Sequence, residues 1–423
     1  MGIQSALYSG VSGLNTNSQA MSVIGNNLAN TNTIGFKGAR TVFSDLLSST
    51  IFGSGGVSQV GRGVNVSTVD NVFSQGTFEA TASNTDVAIE GGGFFMLKEV
   101  GNDATFYSRA GAFRFDDEGF LVNPEGYRVQ GKPYDANGAL IAGDPTDIQV
   151  QNTGLVTANV TTEMGLNTNL DASEDVIAAP FAWDDTTTFN YSASTQVYDT
   201  LGNPHLLTAY FKKTADNTWD WYWSAEDSND PPNILGAGGN PNAVAGTLNF
   251  DTDGVLAAAP VTGNIDAGDL AWDNGSADTG ITVTFDTTQF NSDSVVIAQD
   301  QNGFGAGNLT GVTIDEEGTV IASYSNGEQT SIAALVLSKF TNPGGLELVG
   351  SNLYRSTAEA GPPRTGLPGP ELGKIFTNSL EQSNVDMGQQ FVKMITVQRG
   401  FQANSKIITT VDELLGELIN LKR

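Results

Sequence analysis

The C-terminal segment constrains this chain more than any other part of it. Met387, Phe391, Met394, Phe401, Ile408 and Leu415 follow one alternating four-three spacing, interrupted by Gln398, Ser405 and Asp412. That spacing sets the side chains in one stripe on an α-helix, and Val385, Ile395, Val411, Leu414 and Leu418 widen the apolar surface beyond a narrow seam. No proline interrupts the run, and Ser383 followed by Asp386 resembles a capping box, with Asp in place of Glu, so the helix is expected to start near Asn384. It would end on Lys422 and Arg423, whose charges suit a helix C-terminus. Such a helix has roughly 35 to 38 residues and is more than about 50 Å long. Apolar groups on more than one face of so long a helix need more than one neighbour.

The N-terminal segment supplies one neighbour. Leu7, Val11, Leu14, Met21 and Leu28 repeat the four-three spacing, with Ser18 and Gly25 at the skipped positions. Glycines at 10, 13 and 25 weaken an isolated helix by about 0.5 to 1 kcal/mol each, so this helix must be held by packing. The apolar surface left over predicts contacts with helices of other copies, and hence a polymer.

Between the helices the pattern changes to strands and tight turns. One unit recurs three times, as FDDEGFL (115–121), FDTDGVL (250–256) and IDEEGTV (314–320). An Asp that accepts backbone N–H groups and a Gly that accepts positive φ make each a turn between antiparallel strands. Calcium loops of the EF-hand type need ligands at five or six spaced positions and a Glu at position 12, which none of these supplies. Further strands are expected at 87–98, 126–130, 196–200 leading to 206–212, 218–224, 280–285 and 330–340. Trp219, Trp221 and Trp223 alternate, so all three indoles share a face, with Asp220 and Tyr222 opposite. Burial in a core is the expected use, and an exposed sugar-binding stripe is the alternative. Proline-rich breaks lie at 229–241 and 359–370.

Charge divides the chain. The formal net charge is -28, and from Asp144 to Asp300 there are 23 Asp and Glu against only Lys212 and Lys213. A phosphate-neutralising nucleic-acid surface is excluded by the scarcity of clustered Lys and Arg. The absence of cysteine removes disulfides, thiolate zinc sites and thiol nucleophiles. Hydrolytic chemistry has little to work with. His205 is the sole histidine, in GNPHLL, with no GxSxG motif, and reads as a structural side chain. Gly91 to Gly93 precede no GKS or GKT, so they indicate close backbone packing. No catalytic residue, metal ligand or cofactor is expected. Neither a cleavable signal peptide nor a membrane-spanning segment is recognisable, so export would need another route.

Residues 23–38, VIGNNLANTNTIGFKG, resemble the bacterial flagellar rod and hook axial protein family. Its signature falls on Asn26, Asn27, Ala29, Asn30, Thr33, Gly35, Phe36 and Lys37. The resemblance continues in VAIEGGGFFML (87–97), YSRAGAFRFDDEGFLVNPEGYRVQG (107–131) and LEQSNVDMGQQFVKMITVQRGFQANSKIITTVDELL (380–415), about half of the chain.

The resemblance implies a multidomain fold in which a terminal, coiled-coil-like α-helical part is joined to mainly β inner and outer domains. Residues 1–30 with 380–423 would form the helical polymer core, and 31–70 with 360–379 the connection. Residues 71–150 with 303–359 would form an inner β domain, and 151–302 an outer acidic β domain. Leu7, Val11, Leu14, Met21 and Leu28, with Met387, Phe391, Met394, Phe401, Ile408 and Leu415, would line or support a central channel.

Rod members of the family generally lack a large inserted outer domain. The insertion at 151–302 therefore points to a hook subunit of a hollow, bendable tube that transmits torque, with a straight rod subunit or a carbohydrate-binding surface adhesin as alternatives. The implied partners are many copies of the chain, the distal rod, the hook cap, the hook-filament junction proteins and the flagellar type III export apparatus, with no nucleic acid and no membrane insertion. The implied location is extracellular, in the basal body and hook of the bacterial flagellum.

Overall fold

A computed structural model describes residues 2–53, 56–135, 138–150, 155–229, 232–258 and 261–421. Lys422, Arg423 and the expected domain boundary at 151 lie outside the described residues, as does the side chain of Leu418. The chain divides into two compact units. Unit 1 holds residues 1–152, 312–322 and 330–423, and unit 2 holds 153–311 and 323–329.

Unit 1 contains both long helices, α1 (Gly2–Ala29) and α2 (Met387–Leu421). α2 starts three residues later than expected, because the cap is Asp386 rather than Ser383. Asp386 Oδ1 accepts from the N–H of Gln389 at 3.1 Å, whereas the Ser383 hydroxyl turns to the N–H of Val385. After α1 come two antiparallel hairpins, Ala39–Asp45 with Val64–Asn71, and Ser49–Gly53 with Gly56–Val60.

The β body of unit 1 is an antiparallel sheet. Its central order runs Gln329–Leu335, Arg128–Pro133, Phe94–Lys98, Thr105–Ser108, Leu353–Arg355 and Glu347–Gly350. Val87, Ile89, Phe95, Leu97, Leu121, Val129, Leu335 and Leu337 are fully buried and fill its core. The expected strand at 87–98 is two strands, Val87–Glu90 and Phe94–Lys98, parted by the three glycines. A Cβ on Gly93 would lie 2.3 Å from the Leu372 carbonyl oxygen, so close backbone approach is why glycine stands there. The proline-rich break at 359–370 is not wholly irregular. Arg364–Gly366 adds a three-residue strand to Leu337–Lys339, an edge position compatible with the flanking prolines.

Unit 2 is a sandwich of two five-stranded sheets. One is built on Tyr191–Tyr198, Pro204–Ala215 and Thr218–Glu226, and the other on Val261–Ile265, Ile281–Phe285, Glu163–Asp171 and Val295–Gln301. Glu163–Asp171 pairs in parallel with Ile281–Phe285 and antiparallel with Val295–Gln301, so its Met164, Leu166 and Leu170 sit mid-sheet. Trp219, Trp221 and Trp223 are fully buried between the sheets, as expected, and the exposed sugar-binding stripe is thereby ruled out. The opposite face of the same strand is covered too. Tyr222 stacks under Phe181 at 3.9 Å between ring centroids, within a strap (172–190) that the sequence pattern did not reveal. Both lysines of this unit hold that strap. Lys212 Nζ donates to the Ala179 carbonyl at 2.7 Å, and Lys213 Nζ to those of Ala172 and Glu174. All five tryptophans, at 183, 219, 221, 223 and 272, belong to unit 2. The break at 229–241 includes a two-residue strand, Ile234–Leu235, paired with Thr218–Glu226.

Candidate assembly interface

α1 carries no charged side chain. Its buried positions are Gly10, Gly13, Thr16, Ala20, Ile24 and Asn27, a stripe of mainly small residues. This is a different face from the expected apolar one. Gly10 faces Ile408, Gly13 faces Asn404 and Gly400 faces Asn17, so α1 and α2 run antiparallel. The pairing is reciprocal. Asn17 Nδ2 donates to the Gly13 carbonyl at 2.7 Å and Asn404 Nδ2 to that of Gly400 at 3.0 Å, and each amide lies over the other helix's glycine. A Cβ on Gly13 would stand 2.6 Å from Asn404 Nδ2, and one on Gly400 would stand 3.2 Å from Asn17 Oδ1. Glycine is thus the means of close approach here, where helix propensity alone marks it as a weakness.

The larger apolar groups consequently remain available. Met387 (53%), Phe391 (50%), Phe401 (43%) and Leu415 (39%) are exposed, while Met394 and Ile408 are half-buried. On α1, Val11 is exposed and Leu7, Leu14, Met21 and Leu28 are half-buried. Val392, Ile395, Ile407 and Leu414 extend the open surface of α2. Between α1, the hairpins and Phe401 lies an open groove of about 1240 Å³ whose apolar lining is Tyr8, Val11, Leu14, Leu46, Leu47 and Val60.

At the root of the helix pair the signature residues build a clamp. Asn27, buried, exchanges two hydrogen bonds with the backbone of Ala39, at 2.7 and 2.9 Å. Asn30 closes the end of α1 by donating to the Asn26 carbonyl, and the Thr33 hydroxyl donates to Asn30 Oδ1. Asn26 and Ala29 are exposed, and Phe36 is buried. Gly35 has φ of 69°, and a Cβ there would lie 2.5 Å from the Ala110 backbone nitrogen.

Lys37 donates to Glu381 Oε1 at 2.6 Å and to the Ser74 carbonyl at 2.8 Å. Arg109 donates to Glu381 Oε2 at 3.3 Å and to the Ile89 and Gly91 carbonyls, with its guanidinium over the Phe94 ring. All three charged side chains are removed from solvent. Burial pulls Lys37 below its ordinary pKa, outweighing the attraction of Glu381, and does the same to Arg109. The C-terminal partner continues the join. The Gly35 N–H donates to the Glu381 carbonyl at 2.7 Å, Gly38 N–H to Asn384 Oδ1 at 2.8 Å, and Asn384 Nδ2 to the Val72 carbonyl at 2.7 Å. Glu381 and Arg109 were inside recognisable sequence blocks, but nothing local to them announces a mutual partner hundreds of residues away.

His205 belongs to a separate polar cluster in unit 2. Its ring stacks on Trp272 at 3.8 Å and its Nε2 lies 3.1 Å from Asp199 Oδ2. Asp199 also accepts from Asn203 and Asn274. No nucleophile accompanies this pair among its hydrogen-bond partners. Among the described residues no group of three or more His, Asp or Glu is placed to hold a metal ion, and no helix is long and apolar enough to cross a membrane.

Sequence similarity to known proteins extends over nearly the whole length. The flagellar hook protein FlgE of Escherichia coli strain K12 is 34% identical over 99% of this chain and 100% of its own. That of Borreliella burgdorferi is 36% identical over 99% of each. The chain belongs to the FlgE flagellar hook protein family. Four models of that axial family fall on successive parts of it. These are the flagella basal body rod protein (7–37), the FlgE/F/G D1 domain (88–158), the FlaE D2 domain (169–304) and the FlgEFG C-terminal region (377–421). The crystal structure of Helicobacter pylori FlgE2 shares the fold, with TM-score 0.51 at 15% identity over 72% of this chain and 100% of that one. As a FlgE family member the chain is a structural, axial protein of the flagellum.

Proposed function

We propose that this chain is the subunit of a flagellar hook, a hollow and bendable tube that transmits torque from rod to filament. One observation carries the reading. The two helices are already joined through small residues, yet they leave Phe391, Val392, Ile395, Phe401 and Leu414 in water, an apolar surface suited to helices of further copies. Leu7, Val11, Leu14, Met21 and Leu28 on α1, with Met387 to Leu415 on α2, form the polymer core on this reading. The acidic unit 2, which carries the D2 match at 169–304, favours a hook over a straight rod. Contacts between such bodies can be exchanged as the tube bends while the helices keep continuity.

The partners on this reading are other copies, the distal rod, the hook cap, the hook-filament junction proteins and the type III export apparatus. The location is the extracellular hook and its basal body. Electron microscopy of the concentrated full chain tests it. Curved tubes with a central channel are expected. Straight tubes would transfer the assignment to the rod, and monomers that persist both alone and with a hook cap would overturn it.

A further inference from the structure

The three charges of the clamp come from three places. Lys37 follows α1, Arg109 belongs to the β body, and Glu381 lies on the approach to α2, separated from them by 344 and 272 residues of sequence. Among the described residues Glu381 is the only ion-pair partner of either cation. The consequence is asymmetric. Glu381 with Arg109 is a balanced pair, so the root of α2 can seat on the β body without Lys37. Lys37 brought beside Arg109 without Glu381 would bury two like charges with no counter-charge, which is strongly unfavourable in a dry site.

We propose that Glu381 is a positioning residue that orders the docking of the two terminal segments: the root of α2 seats first on Arg109, and only then can the turn after α1 close through Lys37. The backbone agrees with that order. The Gly35 N–H donates to the carbonyl of Glu381 and the Gly38 N–H to Asn384 Oδ1, so these two donors are satisfied by the α2 root, while the Ile34 carbonyl accepts from Asn352 of the β body and the Gly38 carbonyl from the Val72 N–H. The Lys37 end of the turn is therefore closed only in a chain whose C-terminal segment is already in place. The ordering itself is a property of the monomer.

Hydrogen exchange on the full-length monomer tests it, comparing peptides from 33–39, from 381–390 and from the β body at 94–98 and 128–133. Glu381→Gln is expected to raise exchange at 33–39 on the order of 100-fold or more, leaving the β body protected. Lys37→Met is expected to free 33–39 while changing 381–390 by less than about threefold, since the remaining pair stays balanced. Where Glu381→Gln does lower protection of the β body near Arg109, the double variant Lys37→Met with Glu381→Gln should restore it, because one unpaired cation is gone. Unchanged exchange at 33–39 in Glu381→Gln overturns the proposal, as does equal release of both segments by Lys37→Met. If Glu381→Gln unfolds the β body, the double variant decides: recovery supports the charge argument, and no recovery rejects it.

Discussion

Gly35 and Gly13 are glycines for different reasons, and substitution separates them. At Gly35 the φ of 69° and the Ala110 backbone both oppose a side chain. Gly35→Ala should cost unit 1 on the order of 1 to 3 kcal/mol, read from denaturant unfolding followed by far-UV circular dichroism. At Gly13 the backbone is ordinary helix, and the obstacle is the Asn404 amide. Gly13→Ala gains up to about 1 kcal/mol of helix propensity, yet should loosen the helix pair, seen as faster amide exchange in both α1 and α2.

Asp199 contributes to the pH dependence of unit 2. Burial would raise its pKa, but hydrogen bonds from Asn274, Asn203 and His205 win and hold it far below the ordinary 3.8. A depressed carboxylate stabilises the fold above its unfolded pKa and loses that contribution as pH falls toward the folded one. Unit 2 should therefore keep this stabilisation down to about pH 4 and lose it progressively below that. Asp199→Asn should remove that share of the acid sensitivity in an unfolding series against pH.

The turns show how far pattern reading reaches at the level of the element. The three units recognised in the sequence adopt one geometry. Asp116, Asp251 and Asp315 each accept the N–H groups two and four residues on, and Gly119, Gly254 and Gly318 have φ of 81°, 76° and 82°. The same backbone bonds and a positive-φ glycine recur at Asn123–Gly126, Asp135–Gly138 and Asp199–Gly202. The template asked for an Asp at the first turn position and an acidic residue before the glycine, whereas Asn123 replaces the Asp in the first of these and Asn137 and Leu201 replace the acidic residue in the others; the geometry needs only the Asp or Asn and the glycine. The helices were legible from apolar spacing, and so was their pairing, but the face through which they meet was not, since a seam of Gly, Thr, Ala and Asn leaves no hydrophobic period. The clamp was half legible: Lys37 stood out in a recognised motif, while its pairing with Glu381 depends on tertiary proximity that no local pattern encodes.

That contrast bears on mutation of the open helix faces. With half of its ring already in water, Phe391→Ala should change monomer stability by about 0.5 kcal/mol or less. If the ring becomes buried between copies, the same substitution should weaken assembly by up to about 3 to 5 kcal/mol. The critical concentration for polymer formation, measured by sedimentation, checks this, with monomer unfolding as the control.

For the whole molecule, charge and division into units matter together. The ammonium groups of Lys212 and Lys213 are spent on carbonyls of the strap, so they do little to offset the acidic exterior of unit 2. Copies brought side by side repel there, and salt with a Debye length of about 10 Å at 0.1 M screens that repulsion. Assembly of the full chain should strengthen as ionic strength rises, measured as a falling critical concentration. A variant lacking residues 151–302 should still polymerise, with altered shape and little salt response. Removal of residues 387–423 should abolish polymerisation altogether.

The confinement of every tryptophan to unit 2 turns the chain into its own selectively labelled sample. Excited at the red edge of protein absorption, the molecule emits from the sandwich alone, and the helices, hairpins and clamp are optically silent. A rise in light scattering with constant indole emission would thus record helices joining while the sandwich keeps its interior. A shift in emission before scattering would mean that the sandwich itself rearranges on the way into the tube.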